Sequence, residues 1–243
     1  SNTRQGLAFA IAFLILGAVL ALNLYQERQR TLSREQDKLT TQARVVQVNI
    51  GQNLVAVNSV LVALSKELST NKVESDLNQR LQLLSDAMPA MRTILLLDAN
   101  GVIRASNRAE LIGKDLSQRA YFQEPKHHPG ADTLYVSPPF RTVLGTFTIN
   151  VSRAIAGPDG KFVGVISAAL DPAYFGPLLD SVRYAPDMWV AIAHDEGDVF
   201  LMLPAQEGVV GKNLSQPKTF FSQHQLSGQT LSMHQGTAFI TNH

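Results

Sequence analysis

Cysteine is absent from all 243 residues, which rules out a disulfide framework, a thiolate zinc site and a thiol nucleophile. An oxidising compartment is compatible with that absence. Charge of one sign is not in excess either, since Lys plus Arg is 21 against Asp plus Glu 20, and no five like charges run together. The chain therefore lacks the electrostatic footprint of a nucleic-acid binder. Neither an HExxH helix, a Gly-x-Ser-x-Gly elbow nor a Walker phosphate loop occurs. His127 and His128 stand beside prolines, and His194, His224 and His234 are scattered without ligand spacing. No metal, no cofactor and no catalytic role are expected.

Proline is missing from residues 26 to 70, and glycine occurs there once, at Gly51. What is present in quantity is apolar, at 45% of the chain, enough for real cores. From Gly6 to Tyr25 the run "GLAFAIAFLILGAVLALNLY" carries no charge and only Asn23 as a polar side chain. At about 1.5 Å per residue it reaches across an apolar core of about 30 Å, so residues 6–25 read as a transmembrane helix. A cleaved signal peptide is the alternative, but its apolar region is about 7 to 15 residues, shorter than this run. Arg4 precedes the run, and Arg28, Arg30, Arg34 and Lys38 follow it, interleaved with Glu27, Glu35 and Asp37. A plain Lys/Arg count would put the following residues in the cytoplasm.

Residues 26–88 read as a stalk and long helical segment. Leu32, Leu39, Val46, Ile50, Leu54, Val57, Leu61, Leu64 and Leu68 follow steps of three, four and seven, which share one helix face. The early, polar part suits pairing with a second copy of the chain, a homodimer. "LVAVNSVLVALSKEL" is apolar enough to pack on a folded domain, and Val73 to Met88 forms a second amphipathic stretch before Pro89.

The period then changes. "TILLLDANGVIRASN" from Thr93 is a strand, a turn and a strand, followed by "IGKDLSQRAYFQ", "TLYVSPPF", "TFTINVSRAI", the turn "AGPDGK" and "FVGVISAALD". About five strands with one helical interruption are expected. Downstream, "MWVAIAHDEGDVFLMLP" repeats strand, glycine turn and strand, and "VGKNLSQ" at residues 210–216 repeats "IGKDLSQ" at 112–118. The spacing from turn glycine to heptapeptide is 11 residues in one copy and 13 in the other, counted from Gly101 to Ile112 and from Gly197 to Val210. Order and spacing together indicate an internal duplication.

An uncharged anchor, a long helix and two such modules resemble the double-Cache (PDC, PAS-like) sensor domain of bacterial transmembrane receptors. "LLLDANGVIRASN", "IGKDLSQRAYFQ", "VSPPF" and "GKFVGVISAALD" carry the resemblance, over about residues 26 to 243. It implies an α+β fold, a long N-terminal helix followed by two tandem PAS-like antiparallel-sheet modules. Residues 89–180 would be the membrane-distal, ligand-binding module, and 181–243 the membrane-proximal one. The second is expected to be incomplete, because only "GTAFITNH" follows "TLSMHQ", and an open edge strand after Gly228 would be poorly protected. The resemblance also implies the bacterial inner membrane, with residues after about 26 periplasmic. A histidine kinase, diguanylate cyclase or chemoreceptor output would lie outside this chain.

The heptapeptide copies diverge just beyond their ends. Arg119, Ala120, Tyr121 and Phe122 follow the first, whereas Pro217, Lys218, Thr219 and Phe220 follow the second. Phe122 and Phe220 suit a common core, while Arg119 and Tyr121 belong to one module only. Arginine offers a planar donor fork to a carboxylate, and tyrosine an apolar face with a polar tip. A surface ion pair of Arg119 with Asp115 or Glu124, with Tyr121 as core filling, is the plainer alternative. In related amino-acid sensors an Arg-x-aromatic-aromatic run contacts the ligand carboxylate, and Arg119 to Phe122 matches it. The family's tyrosine five residues before that arginine is Lys114 here, and the aspartate that pairs with the ligand ammonium falls on Ala169. Asp171, two residues later, would share that face of a regular strand. An organic acid without an amine is therefore favoured. Ser137, Phe140, Arg141, Thr148, Asn150 and Ser152 are further candidates for ligand contact. Thr148, Asn150 and Ser152 alternate with Phe147, Ile149 and Val151, so they share a strand face that is either pocket or solvent. A periplasmic protein-interaction or structural module without a small ligand is the rival reading.

Overall fold

The computed structural model describes residues 2–69, 76–130, 133–143, 145–194, 197–213, 232–234 and 237–239. Helix α1 runs Asn2–Leu68 without interruption, as expected of a segment free of proline. It is long and apolar enough near its start to cross a membrane. The chain divides into two compact units, residues 1–44 with 229–243, and residues 45–228. In the first, exposed i,i+3 pairs Glu27–Arg30 and Glu35–Lys38 decorate the helix, and strands β10 (Ser232–His234) and β11 (Thr237–Phe239) form a hairpin.

In the second unit, the apolar positions of α1 become a core. Val57, Leu61, Leu64 and Leu68 are buried there, while Leu32 upstream is exposed. Helix α2 (Leu77–Ala87) buries Leu77 and Leu81. Its cap Met88 is extended at φ −129° and ψ 85°, because a residue preceding proline is crowded out of the helical region.

The strands that follow are β1 (Met91–Asp98), β2 (Ile103–Ser106), β3 (Tyr135–Val136), β4 (Phe140–Arg141), β5 (Phe147–Thr148), β6 (Asn150–Ala156) and β7 (Phe162–Leu170). A 3-10 turn at Ala109–Leu111 and helix α3 (Ala120–His127) separate β2 from β3. Five strands form one antiparallel sheet in the order β2-β1-β7-β6-β3, and β4 and β5 pair as a separate hairpin. Side chains alternate between two faces. Ile94, Leu96, Val151, Ile166 and Ala168 join the core shared with α1 and α2. Leu95, Leu97 and Val165 face the other way, against Leu111, Leu116, Tyr121 and Phe122.

Helix α4 (Pro172–Ser181) leads to the second module, where β8 (Val190–Ala193) pairs with β9 (Val199–Leu203). The duplication shows in the backbone hydrogen bonds. Gly113 N donates to Ile103 O and Lys114 N to Leu111 O in the first copy; Gly211 N donates to Val199 O and Lys212 N to Val209 O in the second. Bridges Val102–Asp115 and Asp198–Asn213 correspond as well. Whether the second module breaks off after "TLSMHQ", and the fate of Phe220, fall mostly on residues 214–231, 235–236 and 240–243, outside the described residues.

Candidate functional site

Between the second sheet face, the start of α3 and the β4–β5 hairpin lies a cleft with about 500 Å³ of empty space, counting its opening to solvent. Arg119, Tyr121, Phe140, Thr148 and Asn150 line it, five of the residues the sequence singles out. Arg119 is the N-cap of α3, extended at φ −80° and ψ 138°. Its guanidinium lies 5.4 Å from the Phe140 ring centre, and the Tyr121 ring is 5.2 Å from the same ring. No ion pair of Arg119 with Asp115 or Glu124 forms among the described residues; Asp115 accepts from Ser117 N, and Glu124 faces His128. Burial pushes the Tyr121 hydroxyl up to about 12, opposed by the nearby Arg119 charge. The phenol is therefore a neutral hydrogen-bond donor.

The polar face of β5 and β6 is buried. Thr148, Asn150 and Ser152 are all at most 1% exposed, so of the two faces open to them, solvent is excluded. Asn150 donates from Nδ2 to Ser167 Oγ at 3.1 Å, and its backbone N–H donates to Ser137 Oγ. Its Oδ1 finds no partner, nor does Ser152 Oγ, among the described residues.

The other candidates stand outside the lining of this cleft. Phe122 is fully buried against Phe162, ring centres 6.1 Å apart, because it points from α3 into the core while its neighbour Tyr121 meets the cleft. Ser137 fastens β6 to the preceding loop, accepting from Asn150 N and donating to Pro138 O. Arg141 is exposed, donates to Gly145 O and lies over Phe147, closing its own hairpin. Ser152 sits further along β6. Asp171 does not share a strand face with Ala169, because β7 ends at Leu170 and Asp171 caps α4, accepting from Ala173 N. Ala169 does line the cleft.

Arg92 and Thr93 also line it, and neither stood out in the sequence. Strict alternation places Arg92 on the side away from Thr93. A register shift between Met91 and Thr93 breaks that alternation, and bulges re-aim side chains in this way. Two arginines, Arg92 and Arg119, thus line the cleft, with Thr93, Thr142, Thr146 and Thr148 and apolar walls that include Leu95, Leu111 and Leu116. No carboxylate lines it among the described residues.

No family model and no curated protein sequence matches the chain. Solved structures do. The extracellular domain assigned to a histidine kinase, rpHK1S-Z16, is 22% identical with a TM-score of 0.63, over 76% of this chain and 74% of that one. The ligand-binding domain of the Pseudomonas aeruginosa amino-acid chemoreceptor PctC, in complex with GABA, is 21% identical with a TM-score of 0.55, over 74% and 79%. That of the Pseudomonas fluorescens chemoreceptor CtaA, in complex with L-serine, is 17% identical with a TM-score of 0.59, over 74% and 76%. The chain has the Cache-type fold of these extracellular sensor domains.

Proposed function

We propose that this chain is the extracytoplasmic ligand-sensing part of a bacterial transmembrane receptor, taking a small organic carboxylate in the cleft beside Arg92 and Arg119. One observation carries the ligand class: two arginines and a tyrosine line an apolar-walled cleft that no carboxylate residue lines among the described residues. An anion gains charge-assisted hydrogen bonds there, whereas an ammonium group meets no counter-charge. The GABA-bound and serine-bound neighbours support a small-molecule ligand in this fold. The apolar start of α1 serves as the membrane anchor, and residues after about 26 lie in the periplasm. A homodimer formed through α1 passes the signal to a kinase, diguanylate cyclase or chemotaxis output. Ligand shifts that equilibrium only by its difference in affinity between two states.

Calorimetry of the full chain in lipid nanodiscs against a panel of organic acids tests this reading. A binder is expected, with affinity about 10-fold to 100-fold lower in Arg119→Ala. Absence of any binder, or equal affinity in the variant, would remove the site; a stoichiometric protein partner recovered instead would favour the interaction-module reading.

A further inference from the structure

We infer that the ligand of this cleft carries a hydroxyl group as well as its carboxylate, and that Asn150 receives the hydroxyl. The inference rests on the carboxylate reading of the Arg92 and Arg119 side.

The strand register brings Thr93, Ala169 and Asn150 into one row across β1, β7 and β6, since Ala169 pairs with both of the others. All three line the cleft. Ala169 is the small member, and it leaves room between two polar side chains. Asn150 is held at three points of its own structure: its backbone N–H on Ser137 Oγ, its Nδ2 on Ser167 Oγ, and its strand pairing with β7. With its backbone fixed and its Nδ2 on Ser167 Oγ, the side chain lies at 1% exposure and is held away from open water. Its Oδ1 is nevertheless without a partner among the described residues, and buried polar groups in folded proteins are almost always satisfied.

Three ligand groups could supply the missing hydrogen: an ammonium, an amide N–H or a hydroxyl. An ammonium would sit in a cleft lined by two arginines and, among the described residues, by no carboxylate, which like-charge repulsion disfavours. A hydroxyl has a further advantage over an amide N–H. It donates and accepts, so it pairs with the Asn150 amide whichever way its oxygen and nitrogen are turned. The ligand class is therefore a small hydroxycarboxylate, with its alkyl part against the leucine walls.

The test is calorimetry of the full chain in nanodiscs with acids that differ by one group: lactate against propionate, malate against succinate, 3-hydroxybutyrate against butyrate, and L-alanine beside lactate. The hydroxy acid is expected to bind at least about tenfold tighter than its deoxy partner in one pair or more, because a site built for a hydroxyl rejects the analogue lacking it. Asn150→Leu should level that pair to within about threefold, whereas Arg119→Ala should weaken both members alike. Equal affinities within every pair in the wild-type chain overturn the hydroxyl assignment and leave the carboxylate reading standing. Tighter binding of L-alanine than of lactate also overturns it. Discrimination retained in Asn150→Leu overturns the role of Asn150. Binding of no acid at all overturns the carboxylate reading itself, and this inference with it. Should Asn150→Leu fail to fold, the wild-type pairs still decide.

Discussion

Ile166 and Ser167 are neighbours on β7, both 0% exposed, and they face opposite sides of the same sheet. On the side of Ile166, helices α1 and α2 close the core with Leu61, Leu64 and Leu81. Arg153, buried on this side, donates to Asn58 Oδ1 of α1 at 2.8 Å. On the side of Ser167 the strands present Thr93, Asn150 and Ser152, and two of the buried oxygens lack partners among the described residues. Helices cover one face with apolar side chains, and the other opens on the cleft. Each unmet buried group costs about 1 to 3 kcal/mol, and such local violations concentrate where function needs them.

If that contrast is right, truncation on the helix face should be the most damaging change. Ile166→Ala is expected to destabilise by about 3 kcal/mol, within the usual 2 to 5 for such cavities. Urea unfolding of the full chain in detergent, followed by circular dichroism, measures it. A loss under about 1 kcal/mol would mean that this face is less closely packed than its burial indicates.

Tyr121 probes the other face by pH. Its hydroxyl is held at about 12 in the fold against 10.0 for the free group. A raised value means that the folded state favours the protonated phenol, so this stability is whole below pH 10 and is lost as pH rises towards 12. A rise from 10.0 to about 12 corresponds to about 2 to 3 kcal/mol. Tyr121→Phe should abolish that part of the alkaline loss. An unchanged alkaline profile would show that the phenol is already wet, which would undo the dry-wall picture of the cleft.

The two heptapeptide corners sharpen the comparison on a local scale. Gly113 and Gly211 hold φ of +85° and +82°, a left-handed conformation that costs other residues about 1 to 3 kcal/mol. At Gly113 an added Cβ meets nothing within 4 Å, whereas at Gly211 it meets the Phe147 ring at 2.6 Å. Gly113→Ala should therefore cost about 1 kcal/mol and Gly211→Ala about 2, by thermal unfolding. The second should also disturb ligand affinity, because Phe147 belongs to the hairpin whose Phe140 and Thr148 line the cleft. Equal costs would deny that the second corner leans on that hairpin.

These corners were legible in the sequence because a glycine turn and a short loop are local. The strands were legible for the same reason, through their alternation. Arg92 was not, since a bulge depends on how β1 pairs with β7, and no run of residues announces it. Phe122 and Tyr121 could not be separated by type, because a short helix sends adjacent aromatics to different surroundings. Asp171 was readable after all. An aspartate followed at once by Pro172 is the signature of a helix N-cap with proline at the first helical position, and the structure shows that cap.

The smallest expected effect has the opposite sign and concerns Ser152, on the sheet face that carries the cleft. Ser152 Oγ is buried, lies outside the lining of the cleft and has no partner among the described residues. Ser152→Ala removes an unmet hydroxyl and leaves the fold otherwise unchanged. Stability should be equal or higher by up to about 1 kcal/mol, since deleting an unsatisfied group relieves its desolvation cost. Ligand affinity should stay the same, unlike the loss expected for Asn150→Leu. A destabilisation above about 1 kcal/mol would mean that a trapped water already bonds the hydroxyl. Water would then be satisfying this face of the sheet at Ser152, away from the cleft that Asn150 lines.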